Sequence, residues 1–465
     1  MSRIVIVGGS DAGISAALRI RELDDDSDVH VVLDDAYPNF SICGIPYYVS
    51  GDVSDWRQLA HRDLVALETT GMQLHLDTRA RCIDPERHEL FVTDQSEQDE
   101  VIRYDELIIA TGATPIQPAI HGLGGSDSLG IADGVHLLHS IGDTLALVRT
   151  LESRSPDRAL IVGAGYIGLE MAEALTARGL SVTQMEQLPE VLPTVDPELG
   201  ALVNDELNRQ GVEVLTGTAV KRIHRVGERL RVEATADRGE PVTRTVDVVL
   251  VVVGVRPETS LAADAGITLD AKGAIAVDKR MRTNLPNLFA AGDCVVTHHR
   301  LLGESYLPLG TTAHKQGRIA GENALGGTRE FAGSLGTQVV KVFDRVVART
   351  GLRDPEAAAV GFDPLTVESE ADDHKAYYPG SRPICMRVTG DRATGRLLGV
   401  QLFGHLRSEI AKRIDIAATA IFHSMSVDAI SELDLSYTPP LGSPWDAVQT
   451  AAQAWWSRLS SDCHR

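Results

Sequence analysis

One cysteine stands out as a residue that can do redox chemistry. Cys43 lies in the short apolar stretch from Asn39 to Tyr48 and is followed closely by Gly44 and Pro46. A thiol does two-electron chemistry only as the thiolate, so a helix N-terminus or an electron-poor ring beside it would have to lower its pKa. We therefore predict that Cys43 is the terminal electron carrier of a redox site.

A first glycine-rich loop indicates a nucleotide site ahead of this cysteine. The apolar strand Arg3 to Val7 runs into Gly8-Gly9-Ser10-Asp11-Ala12-Gly13, a helical pattern follows, and the next strand ends at Asp34. A strand, a glycine turn, a helix and a strand ending in an acid form the dinucleotide-binding βαβ unit. We predict that Gly8 makes the tight turn, that Gly13 lets the helix pack closely, and that Asp34 accepts a hydrogen bond from a ribose.

A second loop repeats this pattern more completely. Gly163-Ala164-Gly165-Tyr166-Ile167-Gly168 matches G-x-G-x-x-G, and the following strand, Ser181 to Met185, ends in Glu186. A carboxylate at this position accepts from the ribose 2′-OH and repels a 2′-phosphate, which predicts NADH rather than NADPH. Arg178 is the nearby cation that would favour NADPH if it reached the phosphate. The two loops together indicate an internal repeat of nucleotide-binding domains.

Two further strand ends and one long segment complete the organisation. One strand runs into Thr111-Gly112, and a later one runs into Gly292-Asp293, where glycine admits close backbone approach and the acid can accept from a hydroxyl. From Phe331 onward strands and a helix predicted over 408–424 carry no glycine loop, which indicates a separate α+β domain. The most loop-like stretch is 357–373.

Composition excludes several classes of partner. Lys and Arg number 44 against 65 Asp and Glu, and a net charge of −21 repels nucleic acid and anionic membranes. Five cysteines without C-x-x-C spacing favour a reducing, cytoplasmic location. No signal peptide is evident, and the longest apolar run, Val248 to Val255, is too short to span a bilayer. We predict no metal site, because the adjacent His298 and His299 point apart on a strand.

Taken together, these motifs resemble those of the two-dinucleotide flavoprotein disulfide reductases. The expected order contains Cys43-Gly44-Ile45-Pro46-Tyr47-Tyr48, Ala110-Thr111-Gly112, the second loop through Glu170, Ala291-Gly292-Asp293 and Lys315-Gln316-Gly317-Arg318. Tyr48 stands where double-cysteine members carry a second cysteine. The chain is therefore most similar to the single-cysteine branch, which holds coenzyme A disulfide reductase, NADH oxidase and NADH peroxidase.

The resemblance implies a homodimer with FAD and NADH bound, and with NADPH disfavoured. The fold class is α/β, with two Rossmann-like domains and a C-terminal α+β dimerisation domain. We expect residues 1–147 and 276–329 to bind FAD, 148–275 to bind the nicotinamide cofactor, and 330–465 to dimerise. The predicted cofactor-binding positions are Gly8, Ser10, Asp11, Ala12, Gly13, Asp34, Thr111, Gly112, Gly163, Gly165, Tyr166, Ile167, Gly168, Glu170, Glu186, Gly254, Gly292, Asp293, Thr312 and Ala313.

Within the branch, the chain is most similar to coenzyme A disulfide reductase. The segments around Tyr377 and Tyr437 resemble those whose tyrosines reach the partner subunit's cysteine, so both are predicted proton donors. The implied substrate is a small disulfide, persulfide or polysulfide. Its predicted contacts lie in the first helix, where basic residues hold coenzyme A phosphates in the relatives, and next to the cysteine: Arg19, Arg21, Asn39 and Ile42.

Some departures leave the acceptor open. Glu22 stands where a further Arg is usual, and Asn39 and Ile42 replace the Ser and Asn of that reductase. Oxidases and peroxidases carry His where this chain has Asp11, which disfavours reduction of oxygen or peroxide through a sulfenic acid. A mercuric-type reductase, prompted by Cys463, would use adjacent cysteines there. A flavin-dependent sensor or scaffold without turnover is the non-enzymatic alternative; Cys82, Cys294 and Cys385 are predicted to be structural.

Overall fold

The computed structural model describes residues 2–125 and 128–463, and the side chain of Cys463 lies outside this description. The first unit begins with an Ile/Val-rich strand that is buried from its second residue onward, followed by a helix and a second buried strand. Its elements are β1 (Arg3–Val7), α1 (Asp11–Leu23), β2 (Asp28–Val32), α2 (Ile45–Ser50), α3 (Leu64–Thr69), β3 (Gln73–His75), β4 (Arg79–Asp84), β5 (Glu89–Thr93), β6 (Asp99–Arg103), β7 (Glu106–Ile109) and β8 (Ala113–Pro115).

The second unit repeats the strand-helix-strand pattern around another parallel sheet. Its elements are β9 (Val135–Leu137), α4 (Ile141–Arg154), β10 (Arg158–Val162), α5 (Tyr166–Ala177), β11 (Ser181–Met185), α6 (Pro197–Arg209), β12 (Glu213–Leu215), β13 (Thr218–Val226), β14 (Arg229–Ala236), β15 (Pro241–Val246), β16 (Val248–Val251) and β17 (Val255–Pro257). The parallel sheet has the order β12-β11-β10-β16-β9, and β13, β14 and β15 form an antiparallel sheet of their own.

The chain then returns to the first unit. This segment contains α7 (Ser260–Asp264), β18 (Leu288–Ala290), β19 (Thr297–His299), β20 (Gly303–Ser305) and α8 (Gly310–Ala324). Strand β18 pairs with β7, which completes a five-stranded parallel sheet of order β18-β7-β1-β2-β3. The predicted pair of doubly wound nucleotide-binding domains is therefore confirmed, since each parallel strand pair is joined through a helical or longer crossover.

The last domain is a five-stranded antiparallel sheet covered by helices. Its elements are β21 (Gln338–Val342), β22 (Arg345–Gly351), α9 (Asp354–Ala359), β23 (Pro364–Asp372), β24 (Pro383–Asp391), β25 (Leu397–His405), α10 (Ile410–Phe422), α11 (Val427–Ser431) and α12 (Ala447–Cys463). The strand order is β21-β22-β25-β24-β23. The prediction of a loop over 357–373 is wrong, because α9 and the nine-residue strand β23 occupy most of this range. Strand β23 lies at the edge of the sheet and pairs along its whole length with β24.

Two of the expected domain boundaries also need correction. Strand β9 pairs with β16 of the second unit, and the boundary at 147/148 falls inside α4. Downstream, Leu261 and Ile275 pack with Val5 in the core of the first unit, ahead of the expected return at 276. We therefore propose that the second unit extends from about Val135 to Pro257. None of the described helices is both long and apolar enough to cross a membrane.

Helices α1 and α8 approach closely enough to touch through their backbones. A Cβ atom added to Gly317 would lie 2.1 Å from the carbonyl oxygen of Ala12, and one added to Gly321 would lie 2.5 Å from that of Ala16. Neither distance is physically possible, so only glycine fits at both positions. This close contact places the start of α8 beside the first glycine loop.

Candidate active site

The thiol of Cys43 is accessible and sits in a tight turn. A single turn of 3₁₀-helix over Ile42–Gly44 leads directly into α2, and the side chain of Cys43 is exposed. The pKa of this thiol is nevertheless raised, first because neighbouring atoms partly desolvate it and then because of the carboxylates of Glu170, Asp11 and Asp293. Among the described residues the net effect is therefore opposite to the expected lowering of this pKa.

The three carboxylates come from different elements. Asp11 begins α1, Glu170 lies in the first half of α5, and Asp293 follows β18. Burial raises the pKa of Glu170 to about 7 and that of Asp293 to about 7, and it also raises the pKa of Asp11, against which His314 and His61 act. Because all three influence one thiol, the helices that follow the two glycine loops converge on Cys43.

A chain of polar contacts joins this region to the last domain. The phenol of Tyr47 on α2 hydrogen-bonds the carboxylate of Glu170, and burial raises the pKa of Tyr47 to about 12. One turn further along α5, Glu173 forms an ion pair with Lys341 and accepts 2.8 Å from the backbone N–H of Phe343. The ammonium of Lys341 lies 5.7 Å from the centre of the Tyr47 ring. The site is thus built from all three domains.

Both glycine loops have the geometry of a phosphate cradle. Gly8 and Gly163 have φ of 118° and 108°, and a Cβ atom on Gly13 or Gly168 would lie 1.9 or 2.3 Å from the carbonyl oxygen of the first glycine of its own loop. Any side chain at these positions would push helix and strand apart. The backbone therefore remains open at the helix N-terminus, which suits a pyrophosphate.

The second loop also has its acid in place. The carboxylate of Glu186 is buried and accepts 2.7 Å from the N–H of Ala164 in the loop and 2.9 Å from that of Leu188. Each carboxylate oxygen can accept a further bond, so the group is held ready for ribose hydroxyls. Arg178 cannot compensate for a 2′-phosphate here, because its guanidinium donates to the carbonyl oxygen of Val49 on α2.

The first loop differs from the second in its acid. Gly8 and Gly163 donate to Val32 and Met185 respectively, so the residue equivalent to Glu186 is Leu33, not Asp34. The side chain of Leu33 is buried against Gly9, whereas Asp34 is exposed and ion-paired with Arg79 at 2.6 Å. The expected contact between Asp34 and a ribose therefore needs correction, because its side chain lies one residue beyond that position.

The remaining predicted cofactor positions lie at strand ends and at the start of α8. Thr111 donates 2.5 Å to the carbonyl oxygen of Glu258, and the N–H of Gly292 donates to the side chain of Gln316 on α8. Tyr166 donates 2.6 Å to Gln338 in the last domain. The other predicted cofactor positions lie in loops or in the first turn of a helix. They are Ser10 and Ala12 of the first loop, Gly165 and Ile167 of the second loop, and Gly112, Gly254, Thr312 and Ala313.

Two of the predicted substrate contacts are occupied otherwise. The guanidinium of Arg19 is paired with Glu322 at 2.6 Å and with Glu22 at 3.0 Å. Arg21 donates to the carbonyl oxygens of Thr70 and Ser27. Both cations thus have partners within the chain, and their contact with coenzyme A phosphates stays a prediction.

The other two predicted substrate residues stay next to Cys43. Asn39 has φ of 62° and is buried, with its side-chain nitrogen lacking a hydrogen-bond partner among the described residues. Ile42 is half-buried against the large core that includes α5. The backbone N–H of Asn39 donates 2.8 Å to the carbonyl oxygen of Gly9, which ties the cysteine segment to the first loop.

The two predicted tyrosines meet on the surface of the last domain. Tyr377 is 73% exposed and Tyr437 is 45% exposed, and a hydrogen bond between them is the first cause that raises the pKa of Tyr437. Their segments are joined by the N–H of Lys375, which donates to Pro439. Leu441 and Trp445 beside them are also more than half exposed. This face is apolar and open, which is typical of a subunit interface.

Sequence reasoning missed several residues of this site. Tyr47, Glu173 and Lys341 lie in three separate elements, and His61 and His314 approach Asp11 from two more. No local motif marks any of them. Tyr47 is the exception, because it lies within the cysteine segment from Asn39 to Tyr48.

Two nucleotide cradles and the accessible thiol of Cys43 define a two-nucleotide oxidoreductase of the single-active-cysteine type. The comparisons agree: the chain belongs to the pyridine nucleotide-disulphide oxidoreductase family, whose model matches residues 2–317, and the family's dimerisation domain matches 337–448. The family uses FAD and NAD(P)H. Both loops fit a dinucleotide, since the positive φ of Gly8 and Gly163 and the close helix packing at Gly13 and Gly168 leave backbone N–H groups open at the helix N-termini.

Similar proteins extend over nearly the whole chain. A NAD(P)H sulfur oxidoreductase (CoA-dependent) of Pyrococcus furiosus is 34% identical, covering 97% of this chain and 98% of its own. A coenzyme A disulfide reductase of Staphylococcus aureus is 29% identical, covering 96% and 98%. The structure of a NAD-dependent persulfide reductase from A. fulgidus superposes with a TM-score of 0.92 at 35% identity, covering 99% of this chain and 84% of that one.

Replacing Glu186 should change nicotinamide specificity. We expect wild-type kcat/KM to be higher with NADH than with NADPH, and Glu186→Ala to lose roughly tenfold or more with NADH, because a hydrogen bond to a charged group is lost. The loss of kcat/KM with NADPH should be smaller, so the ratio of kcat/KM with NADH to kcat/KM with NADPH should decrease. Steady-state kinetics with both cofactors measure this, with the exposed Glu228→Ala as control. A higher kcat/KM for NADPH in the wild type would refute the assignment.

Removing the charge of Glu170 should make Cys43 more reactive. The carboxylate raises the pKa of the thiol, so Glu170→Gln should move the pH profile of Cys43 alkylation by iodoacetamide to lower pH. Since the pKa of Glu170 is about 7, the two profiles should converge below about pH 6, where the wild-type carboxyl is protonated. Glu152→Gln, on the exposed side of α4, should behave as wild type. A profile moved to higher pH would contradict the electrostatic model.

Proposed function

We propose that this protein is an FAD-dependent reductase that passes two electrons from NADH to a small disulfide, persulfide or polysulfide through Cys43. The observation that carries this proposal is one exposed thiol within electrostatic reach of the helices that follow both glycine loops. The printed names of the Pyrococcus furiosus and A. fulgidus relatives support a sulfur acceptor. The stoichiometry is NADH + H⁺ + RSSR′ giving NAD⁺ + RSH + R′SH.

The chemical roles of the residues follow from their types. Bound FAD supplies the two-electron transfer that connects the nicotinamide with the sulfur couple. The Cys43 thiolate attacks one substrate sulfur, which forms a Cys43–S–S–R mixed disulfide and releases R′S⁻. A nearby phenol protonates that leaving thiolate. Reduction of the mixed disulfide by two electrons then releases RSH and restores the Cys43 thiolate.

Coenzyme A as the leaving group has weaker support than the S–S chemistry. The two arginines that would receive its phosphates are paired within the chain, and Glu22 and Glu322 add negative charge beside them. Lys315 on α8 and Arg62 in the loop before α3 are exposed cations, and no described ion pair involves either of them. We therefore propose an acceptor defined by its sulfur–sulfur bond, with coenzyme A derivatives as one class to be tested.

Cys43→Ser should separate the two half-reactions. The variant should retain the yellow flavin absorbance and its bleaching by NADH, because neither glycine loop changes. Turnover with sulfur acceptors should fall by roughly a thousandfold or more, since the nucleophile is removed. An anaerobic panel of coenzyme A disulfide, coenzyme A persulfide, polysulfide, other small disulfides and mercuric ion, with oxygen uptake measured separately, decides the acceptor.

Several outcomes of that panel would overturn the proposal. Wild-type rates with sulfur acceptors in Cys43→Ser would remove the cysteine from the reaction. Oxygen as the fastest acceptor would favour an oxidase, and mercuric ion a metal-ion reductase. Negligible turnover with every acceptor would favour a sensor or scaffold. Cys385→Ser, at a half-buried cysteine of the last domain, is the matched control and should turn over as wild type.

We further propose that each active site is completed across a homodimer. Cys43 lies in the first unit, and the two candidate phenols lie on an exposed apolar face of the domain that the family's dimerisation model matches. Among the described groups that shift the pKa of Cys43, neither phenol of the same chain is included. A proton donor from the partner subunit satisfies both observations.

Mixed dimers test this arrangement directly. Tyr377→Phe/Tyr437→Phe should slow release of the thiol by about tenfold to a thousandfold, and should leave flavin reduction by NADH unchanged. Mixing these subunits with Cys43→Ser subunits gives heterodimers in which one site carries both lesions and the other carries none. Activity should then rise above that of either parent homodimer. If heterodimers form and no activity returns, the phenols serve their own chain's cysteine or none.

A further inference from the structure

A histidine pair and a carboxylate meet between α1 and α8, although they are far apart in the sequence. Asp11 begins α1, His61 lies in the loop before α3, and His314 is in the second turn of α8. One ligand atom from each lies within 4.8 Å of the other two. Two imidazoles and a carboxylate are a donor set that borderline divalent cations such as Zn²⁺ and Co²⁺ prefer.

The ring of His314 is held in the orientation that a ligand needs. Its Nδ1 atom is 2.8 Å from the hydroxyl of Ser15, and its Nε2 atom faces Oδ1 of Asp11 at 3.4 Å. Histidines that bind metals commonly use the other ring nitrogen in such a contact, which fixes tautomer and direction. Nε2 is therefore directed toward the space shared with Asp11.

The carboxylate supplies an independent observation. Oδ1 of Asp11 is buried and has no hydrogen-bond partner among the described residues. Its other oxygen faces the start of α8, where a Cβ atom on Gly310 would lie 2.8 Å away. A buried carboxylate oxygen that faces an imidazole at 3.4 Å without a hydrogen bond is poorly satisfied, and a bound species would satisfy it. Its position between two imidazoles favours a cation over another hydrogen-bond donor.

The third ligand is free to move into place. His61 is exposed, its ring lies 5.9 Å from that of His314, and none of the described hydrogen bonds involves its side chain. Zinc ligands at about 2.0–2.2 Å from the ion lie roughly 3.4 Å from one another in a tetrahedral site. The cluster must therefore close by about one ångström, and rotation of His61 alone can provide that movement.

We propose that Asp11, His61 and His314 bind a divalent transition-metal ion between α1 and α8, because their ligand atoms converge there and Ser15 orients the ring of His314. This inference departs from the expectation that the chain has no metal site. It does not depend on the sulfur acceptor, since the ligands lie outside the steps assigned to Cys43.

Direct binding to the holoenzyme tests the site. Isothermal titration with ZnCl₂ uses the untagged Cys43→Ser holoenzyme, so that the thiol cannot bind the ion. We expect one tight site per chain. In that background, His61→Ala and His314→Ala should each weaken Zn²⁺ binding roughly tenfold or more. Ser15→Ala should weaken Zn²⁺ binding less, because Ser15 only orients His314. His423→Ala, at an exposed histidine of the last domain, should bind as the parent does.

Spectroscopy with Co²⁺ adds a readout that folding defects do not mimic. Co²⁺ bound by two imidazoles and a carboxylate should give visible d–d bands that disappear on addition of Zn²⁺ and are absent in His314→Ala. Circular dichroism and flavin content confirm that each variant is folded and loaded. Equal Zn²⁺ affinity in the parent and both histidine variants, or no saturable site in the parent, would overturn the proposal. Either result would leave the reductase assignment intact.

Discussion

Negative charge around one thiol is the constraint on which the rest of the site depends. Desolvation raises the pKa of Cys43 first, and Glu170, Asp11 and Asp293 raise it further; burial in turn raises the pKa of Glu170 and that of Asp293 to about 7. Near neutral pH these two carboxyl groups are partly protonated, so the negative charge near the thiol changes with pH. A bound, electron-poor flavin would stabilise the Cys43 thiolate, whereas these carboxylates destabilise it. The balance of the two effects sets the pH at which Cys43 becomes reactive.

The same carboxylates explain why three domains must meet here. Glu170 is held by Tyr47 from the first unit, and its neighbour Glu173 is held by Lys341 from the last domain. A shift of the second unit would break both contacts and leave half-buried charged groups without their partners, which is unfavourable. The polar chain therefore fixes the nicotinamide-binding unit relative to the cysteine, and apolar packing of α2 on α5 supports it.

Local motifs predicted the frame of this protein well, because strand, glycine turn and helix follow one another within a short stretch. The strand Ser181 to Met185 and both loops lie where they were expected. Partners supplied from afar could not be predicted. The sequence shows no partner for Arg19, whereas in the fold Glu322 forms an ion pair with it. His314 comes close to Asp11 only because Gly317 allows α8 to touch α1. Strand β23 was missed because its pairing partner, rather than its composition, makes it a strand.

The two glycine loops show how one motif serves two kinds of ligand. The nicotinamide cofactor leaves after every turnover, so it must be distinguished from its phosphorylated analogue at each encounter, and the fixed carboxylate of Glu186 is the group that we propose for this selection. A flavin nucleotide that stays bound needs no such repeated selection. In the first unit Leu33 packs against Gly9 at the equivalent position and contributes apolar burial instead. Apolar packing therefore occupies the position in the first unit at which the second unit holds a carboxylate fixed by two backbone N–H groups.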